Sequence, residues 1–245
     1  MIDTTKLPLP PKNLRWGGPR FADDEFFLQS GLSNVRKLEQ ITGLDGQARV
    51  LDVGCGSGRL LLGLLQRYGS IKEFAGLDVH RPMIEWSQEN LAALSPDIKF
   101  VWHDVQNERY NPKGKALTKA RSWPLESNHF DLITLFSVFS HMWLKDIRHY
   151  LTEMKRVLDP GGKIFLTLFV EDDVPDEVEN PTDYHREWKG RLHCIRLNRQ
   201  TFEKLVRKAG LRVDYFLYRH TNDGQSSYVL SRKDQPPFRA VVVPG

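Results

Sequence analysis

The chain has 245 residues, 40% apolar and 27% charged, with 35 basic and 31 acidic side chains and a net charge of +4. That composition fits a globular chain long enough for one large domain, and it excludes a disordered or fibrous polymer. Two cysteines, Cys55 and Cys194, exclude a disulfide scaffold, and no run approaches the roughly 18 apolar residues of a membrane span.

The first 22 residues are rich in proline and glycine and read as an irregular arm. Leu7-Pro8-Leu9-Pro10-Pro11 is too short for a secretory signal, so the expectation is a cytoplasmic protein with no membrane partner. Asp23 to Ile41 carries Phe26, Phe27, Leu32, Val35, Leu38 and Ile41 at helical spacing, interrupted by Gly31. Strands and helices then alternate. Strands are predicted at Ala48–Val53, Phe74–Val79, Ile98–Trp102, Phe130–Phe136 and Lys163–Val170, with helices at Gly58–Tyr68, Arg81–Leu94 and Trp143–Leu158. Asp159-Pro160-Gly161-Gly162 should end the last of these in a left-handed turn. A helix at Thr201–Ala209 and strands at Leu211–Arg219 and Ser226–Ser231 follow. The division expected is an arm over 1–22, one domain over 23–233 with a lid-like insert at about 171–198, and a tail over 234–245.

Two charge runs stand out. Gln106 to Trp123 holds Arg109, Lys113, Lys115, Lys119 and Arg121 against Glu108 alone. Glu171 to Glu179 holds six acids: Glu171, Asp172, Asp173, Asp176, Glu177 and Glu179. Solvated loop surface is the simpler reading of both. The sharper one is a basic loop that faces an anionic acceptor.

Strand–helix alternation predicts a parallel sheet whose ligands sit beyond the carboxyl ends of the strands. Gly54, Gly56 and Gly58 fall at such an end, between a strand and a helix. Asp78 ends the next strand, 20 residues beyond Gly58, where an acid can accept both hydroxyls of a ribose. The spacing turns away from dinucleotides, which need glycine where this chain has Arg59 or Leu61. It also lacks the Gly-Lys-Ser/Thr of a phosphate-binding loop.

Val50-Leu51-Asp52-Val53-Gly54-Cys55-Gly56-Ser57-Gly58 resembles the first motif of class I S-adenosylmethionine-dependent methyltransferases. Gly76-Leu77-Asp78 resembles their second motif and His103-Asp104-Val105 their third. Phe130-Asp131-Leu132-Ile133 with Ser137–Met142 resembles the fourth, and Arg156 to Gly162 the helix end before the fifth strand. The resemblance runs in order from about 48 to 170. Tyr110-Asn111-Pro112-Lys113-Gly114 in the basic loop is similar to a bacterial subgroup.

The resemblance implies an α/β, Rossmann-like, doubly wound and mostly parallel seven-stranded sheet with helices on both faces and an antiparallel last strand. It implies S-adenosylmethionine as cofactor, held by Asp52, Gly54, Cys55, Gly56, Ser57, Gly58, Asp78, Val79, Met83, His103, Asp104, Val105 and Phe136. Asp52 would hold the amino-acid end, Asp78 the ribose and Asp104 the adenine amino group. Cys55 and Met83 also read as plain core.

Methyl transfer to a hydroxyl needs a base, and His141, just past the fourth strand, is the candidate. Capping or packing the following helix is its other reading. Trp16, Tyr184, His185, Trp188 and Arg191 are candidate substrate contacts, with Arg20 beside Trp16 in the arm. His185, His193 and Cys194 have metal-ligating atoms at no recognised spacing, so no metal is assigned. Leu135-Phe136-Ser137-Val138 stands where nucleobase amine methyltransferases carry Asn/Asp-Pro-Pro-aromatic, which disfavours nucleic acid. The leading expectation is O-methylation of a small molecule or glycan. An RNA methyltransferase using the 106–123 loop, or a cofactor-binding protein without catalysis, are the alternatives. No residue pattern points to an oligomeric state.

Overall fold

The computed structural model describes residues 2–118, 122–184 and 187–237. Lys119, Arg121, His185 and the tail from residue 238 onward therefore lie outside the described residues. The described chain forms two compact units, one up to His103 and one from Asp104 onward.

In the first unit, short 3-10 turns in the arm lead into α1 (Asp24–Thr42). Asp23 caps this helix by accepting from the Phe26 amide at 2.7 Å. Gly31 does not interrupt it; it is where α2 (Arg59–Tyr68) crosses. A Cβ on Gly63 of α2 would lie 2.4 Å from the carbonyl carbon of Gly31, so the two backbones touch. Leu60 to Leu65 are all buried, as expected of a helix covered on every side. Strands β1 (Arg49–Val53), β2 (Glu73–Asp78) and β3 (Ile98–Trp102) are parallel, with β2 in the middle. Between β2 and β3 runs α3 (Arg81–Asn90), shorter than predicted because Ala92–Leu94 tightens into a 3-10 turn.

The second unit holds β4 (Phe130–Leu135), α4 (Leu144–Val157), β5 (Leu158–Glu171), β6 (Glu177–Glu179), β7 (Ile195–Asn198), α5 (Arg199–Lys208), β8 (Leu211–Leu217) and β9 (Ser226–Arg232). β4 pairs parallel to β5, and the far end of β5 pairs parallel to β7. β9 runs antiparallel to both β5 and β8, which bears out the antiparallel last strand. Among the described residues nine strands replace the expected seven. The two additions, β6 and β7, lie in the 171–198 insert, where their short stretches carry too little alternation to be read.

Ile147, Tyr150, Leu151, Met154 and Val157 bury one stripe of α4. The helix does not end in a left-handed glycine. Leu158 turns straight into strand conformation, and neither Gly161 nor Gly162 has a positive φ. Gly162 is required for space instead, since a Cβ there would sit 2.7 Å from the Phe130 carbonyl.

One polar residue of α4 faces inward. Glu153 accepts the Trp123 amide at 2.7 Å and Arg156 at 2.7 Å, while Arg156 donates to the carbonyls of Trp123 and Leu125. Burial alone would raise the Glu153 carboxyl, but Arg156 and the Trp123 amide outweigh it and hold it below its ordinary value. Arg156→Met should therefore cost about 2–3 kcal/mol at neutral pH, because a buried charge loses its partner. A carboxyl lowered in the fold stabilises above its ordinary range and stops doing so as pH falls through its folded value. Urea melts should show the gap between the variant and the natural chain narrowing in acid, and a gap constant with pH would count against this clamp.

The acid run is solvated surface only in part: Asp172, Asp173 and Asp176 are exposed, whereas Glu171, Glu177 and Glu179 are half-buried. Glu177 accepts the first amide of α4, from Leu144, and Glu179 accepts the Leu192 amide. Asp172 pairs with Arg199, and Glu171 gathers Tyr184, Tyr218 and Arg219. These acids pin the insert.

Candidate active site

At the end of β1 the chain turns through Gly54, Gly56 and Gly58, all with positive φ. The Gly54 amide donates to the Leu77 carbonyl at 2.7 Å, hooking the loop onto β2. The Asp78 carboxylate faces the loop. One oxygen accepts the Gly56 amide at 2.7 Å and the other the His80 amide at 2.8 Å. Burial pushes this carboxyl up, and the His80 and Gly56 amides oppose the rise. With about four lone-pair positions, the carboxylate can still accept two hydroxyls.

A Cβ at Gly56 would meet only the Met83 sulfur, at 3.7 Å, so a backbone face is open there beside an apolar, polarisable atom. At Gly58 a side chain is strained, because φ is +81° and a Cβ would lie 2.3 Å from the Leu91 Cδ1. Cys55 is buried, with its sulfur against Gly76, and burial with Asp78 and Asp52 pushes its thiol far up. It packs under the loop as a protonated thiol. Asp52 is buried on β1 opposite Gly76.

The arm reaches this loop. Ser57 donates its hydroxyl to the Leu14 carbonyl at 2.8 Å, and the Trp16 ring lies 4.6 Å from that of His80. Arg20 instead covers Phe26 of α1. The sequence reading did not single out His80 or Leu14. His80 sits two residues past the strand-end acid, which is a usable signal, whereas a backbone carbonyl leaves none. Val79 offers its carbonyl to Trp102, and the His103 amide bonds the Asp78 carbonyl. A separate cleft of about 480 Å³ near Ile71 and Ile98 lies at the opposite, amino ends of β2 and β3 and holds none of these residues.

The second unit carries His141 in a short turn beyond β4. Its Nδ1 lies 2.8 Å from the Leu192 carbonyl, so that nitrogen holds the proton and Nε2 is the accepting one. Burial pushes the imidazole down to about 4; the Leu192 carbonyl opposes this and the Arg109 charge adds to it. The Tyr110 ring stands edge-on to His141 at 5.3 Å. Asn107 fixes that arrangement, since its carbonyl oxygen accepts the amides of Arg109 and Tyr110 and its Nδ2 donates to the His141 carbonyl. Asn111 donates to Val105 and Asp104, and Lys115 pairs with Asp104. Over residues 105–115 the basic loop is thus held by its own hydrogen bonds rather than being a loose cationic strip.

Ser137, just past β4, takes a positive φ of 60°, rare for a residue with a Cβ. Ser140 and Gln225 hold its hydroxyl, and its amide donates to Thr167. The sequence reading did not single out this network, whose partners are 88 residues apart. Phe136 packs on Phe165. Of the expected acceptor contacts, Tyr184 and Trp188 join Phe169 and Cys194 in a small core of the insert. Arg191 pairs with Glu108 and Glu179.

Residues 50–162 match the family model described as "Methyltransferase domain". Residues 50–162, a little under half of the chain, are thus similar to a methyltransferase domain, and S-adenosylmethionine is the cofactor that this similarity supports. Malonyl-[acyl-carrier protein] O-methyltransferase 1 of Ilyobacter polytropus is 32% identical to it over 129 residues, which are 53% of this chain and 41% of that protein. Demethylmenaquinone methyltransferase of Staphylococcus aureus is 31% identical over 132 residues, 53% and 46%. The chain thus spans less than half the length of these curated relatives.

Among solved structures, the glycopeptide N-methyltransferase MtfA complexed with S-adenosyl-L-methionine has a TM-score of 0.59 at 16% identity, covering 84% of this chain and 94% of that one. The [4+2]-cyclase SpnF scores 0.59 at 18%, covering 85% and 82%. These likenesses give the Rossmann-like α/β fold of the methyltransferase domain. The donor set of the domain fits the cofactor: a strand-end carboxylate for a diol, an open glycine backbone, and the Met83 sulfur beside it.

Proposed function

We propose that the chain is an S-adenosylmethionine-dependent methyltransferase of the cytoplasm that acts on a small molecule or glycan, at an oxygen, with His141 as the base. The observation that carries the base assignment is the His141 tautomer, with Nδ1 committed to the Leu192 carbonyl and Nε2 left as acceptor. The O-methyltransferase name of one relative supports oxygen. Cys55 and Cys194, both buried and neither in a disulfide, suit a reducing compartment, and no helix among the described residues is long and apolar enough to cross a membrane.

S-adenosylmethionine, when bound, supplies an electrophilic methyl group. In this proposal Asp78 takes the ribose hydroxyls, Asp52 and the loop Gly54–Gly58 the amino-acid end, and Met83 and Val79 one face of the purine. His103, Asp104, Val105 and Phe136 complete the set by their sequence motifs. His141 orients the acceptor hydroxyl and takes its proton. The domain would span 23–233, with the arm placing Trp16 by His80.

His141→Ala should lower kcat by about 10²–10⁴-fold, the usual share of general-base catalysis, with S-adenosylhomocysteine affinity unchanged. A base must be deprotonated. With its imidazole held down to about 4, His141 stays neutral through the range where an ordinary histidine gains charge, so activity should fall only towards that value. A fall in activity through the ordinary histidine range, or full turnover of the alanine variant, would remove the assignment.

The likeness to a [4+2]-cyclase favours one second reading, cofactor binding without methyl transfer, because this fold alone does not specify the reaction. A labelled-methyl screen over metabolites, glycans and RNA separates the two. Label appearing in RNA alone would replace the small-molecule acceptor.

A further inference from the structure

Arg109 is a half-buried charge of the second unit. Its neighbour Glu108 is the nearest acid in sequence, but Glu108 pairs with Arg191, which also takes Glu179. No described acid pairs with the Arg109 guanidinium, and its buried Nε has no hydrogen-bond partner. The group is nevertheless held in place. Its amide is fixed by Asn107, its Cζ lies 5.5 Å from the Tyr110 ring centre, and a Cβ on Gly190 would stand 4.0 Å from one of its terminal nitrogens. The same Tyr110 ring stands edge-on to His141.

A guanidinium is an obligate donor, and burying part of it without an acceptor costs free energy. A rigid planar fork with unused donors is what a carboxylate or phosphate matches. Of the other described cations of this loop, Lys115 is already paired with Asp104 and Lys113 is exposed.

We propose that Arg109 anchors an anionic group of the methyl acceptor, a carboxylate or phosphate, as a handle that brings the acceptor to His141. This rests on the methyltransferase reading above. The handle is distinct from the atom that receives the methyl group, and it makes Arg109 a specificity-determining residue rather than a base.

The test uses the full chain saturated with S-adenosylhomocysteine, titrated separately with acetate and inorganic phosphate while the His141 imidazole is followed by NMR. An anion at Arg109 should shift the His141 resonances saturably and raise its pKa, because negative charge favours the imidazolium. Arg109→Gln should weaken that binding about tenfold or more, and Arg109→Lys should retain part of it. Lys113→Gln, on an exposed loop residue, should leave it unchanged, and so should melting temperatures across the set. Preference for one anion over the other assigns carboxylate or phosphate. Equal binding by Arg109→Gln, or no saturable shift with either anion, overturns the handle. Failure of S-adenosylhomocysteine itself to bind is a separate outcome and overturns the cofactor reading instead.

Discussion

Asp78→Ala should weaken S-adenosylhomocysteine binding by about 100-fold or more, measured by calorimetry. The carboxylate ends β2 with each oxygen already accepting one backbone amide, from Gly56 and from His80. Two lone-pair positions remain for a vicinal diol. Hydrogen bonds to a charged group contribute roughly 1.5–3 kcal/mol each, so losing two costs about 3 kcal/mol at the least, and 1.4 kcal/mol is tenfold in affinity. The variant also releases the Gly56 amide and loosens the loop, which adds to the loss. Asp78→Asn keeps the shape but replaces one acceptor by a donor, so its affinity should fall between the two. The melting temperature without ligand separates loss of the site from loss of the fold. If affinity for S-adenosylhomocysteine were unchanged, the ribose assignment would be wrong.

Gly63→Ala should clearly destabilise the first unit. In an exposed helix this change stabilises by about 1 kcal/mol, because alanine is the better helix former. Here the added carbon would lie 2.4 Å from the carbonyl carbon of Gly31, 2.5 Å from its oxygen and 2.8 Å from the Leu32 amide. Every one of these is backbone, so no rotamer relieves the clash and α1 must move away from α2. The net cost is about 2–3 kcal/mol, typical of overpacking in a filled interior. For a chain of this size that lowers Tm by roughly 5–10 °C. A Tm equal to or above that of the natural chain would show that the helices do not meet through these glycines. Gly31→Ala should behave alike, its Cβ meeting the Arg59 carbonyl at 2.4 Å.

The strand-to-helix order, the glycine loop and Asp78 were legible in the sequence because each depends on local rules. Apolar runs of one length make buried strands, apolar stripes at another period make helices, and only glycine accepts the positive φ of the turn at residues 54–58. The missing third glycine at Arg59 was enough to turn the loop away from dinucleotides. Other features are non-local. Gly31 read as an interruption of a helix, because its reason is α2, about thirty residues on. The acids of 171–179 read as solvated surface, which holds for the exposed Asp173, but the partners of Glu171, Glu177 and Glu179 lie elsewhere in the chain. Gly161 and Gly162 read as a left-handed stop, whereas the Phe130 carbonyl explains Gly162. His141 could be named from its place after the fourth strand, but its tautomer follows from Leu192, 51 residues away. That Glu108 pairs with Arg191, 83 residues away, rather than with its neighbour Arg109 was not legible either. Local rules decide what the backbone does in each segment; which charges are matched is decided only when distant segments meet.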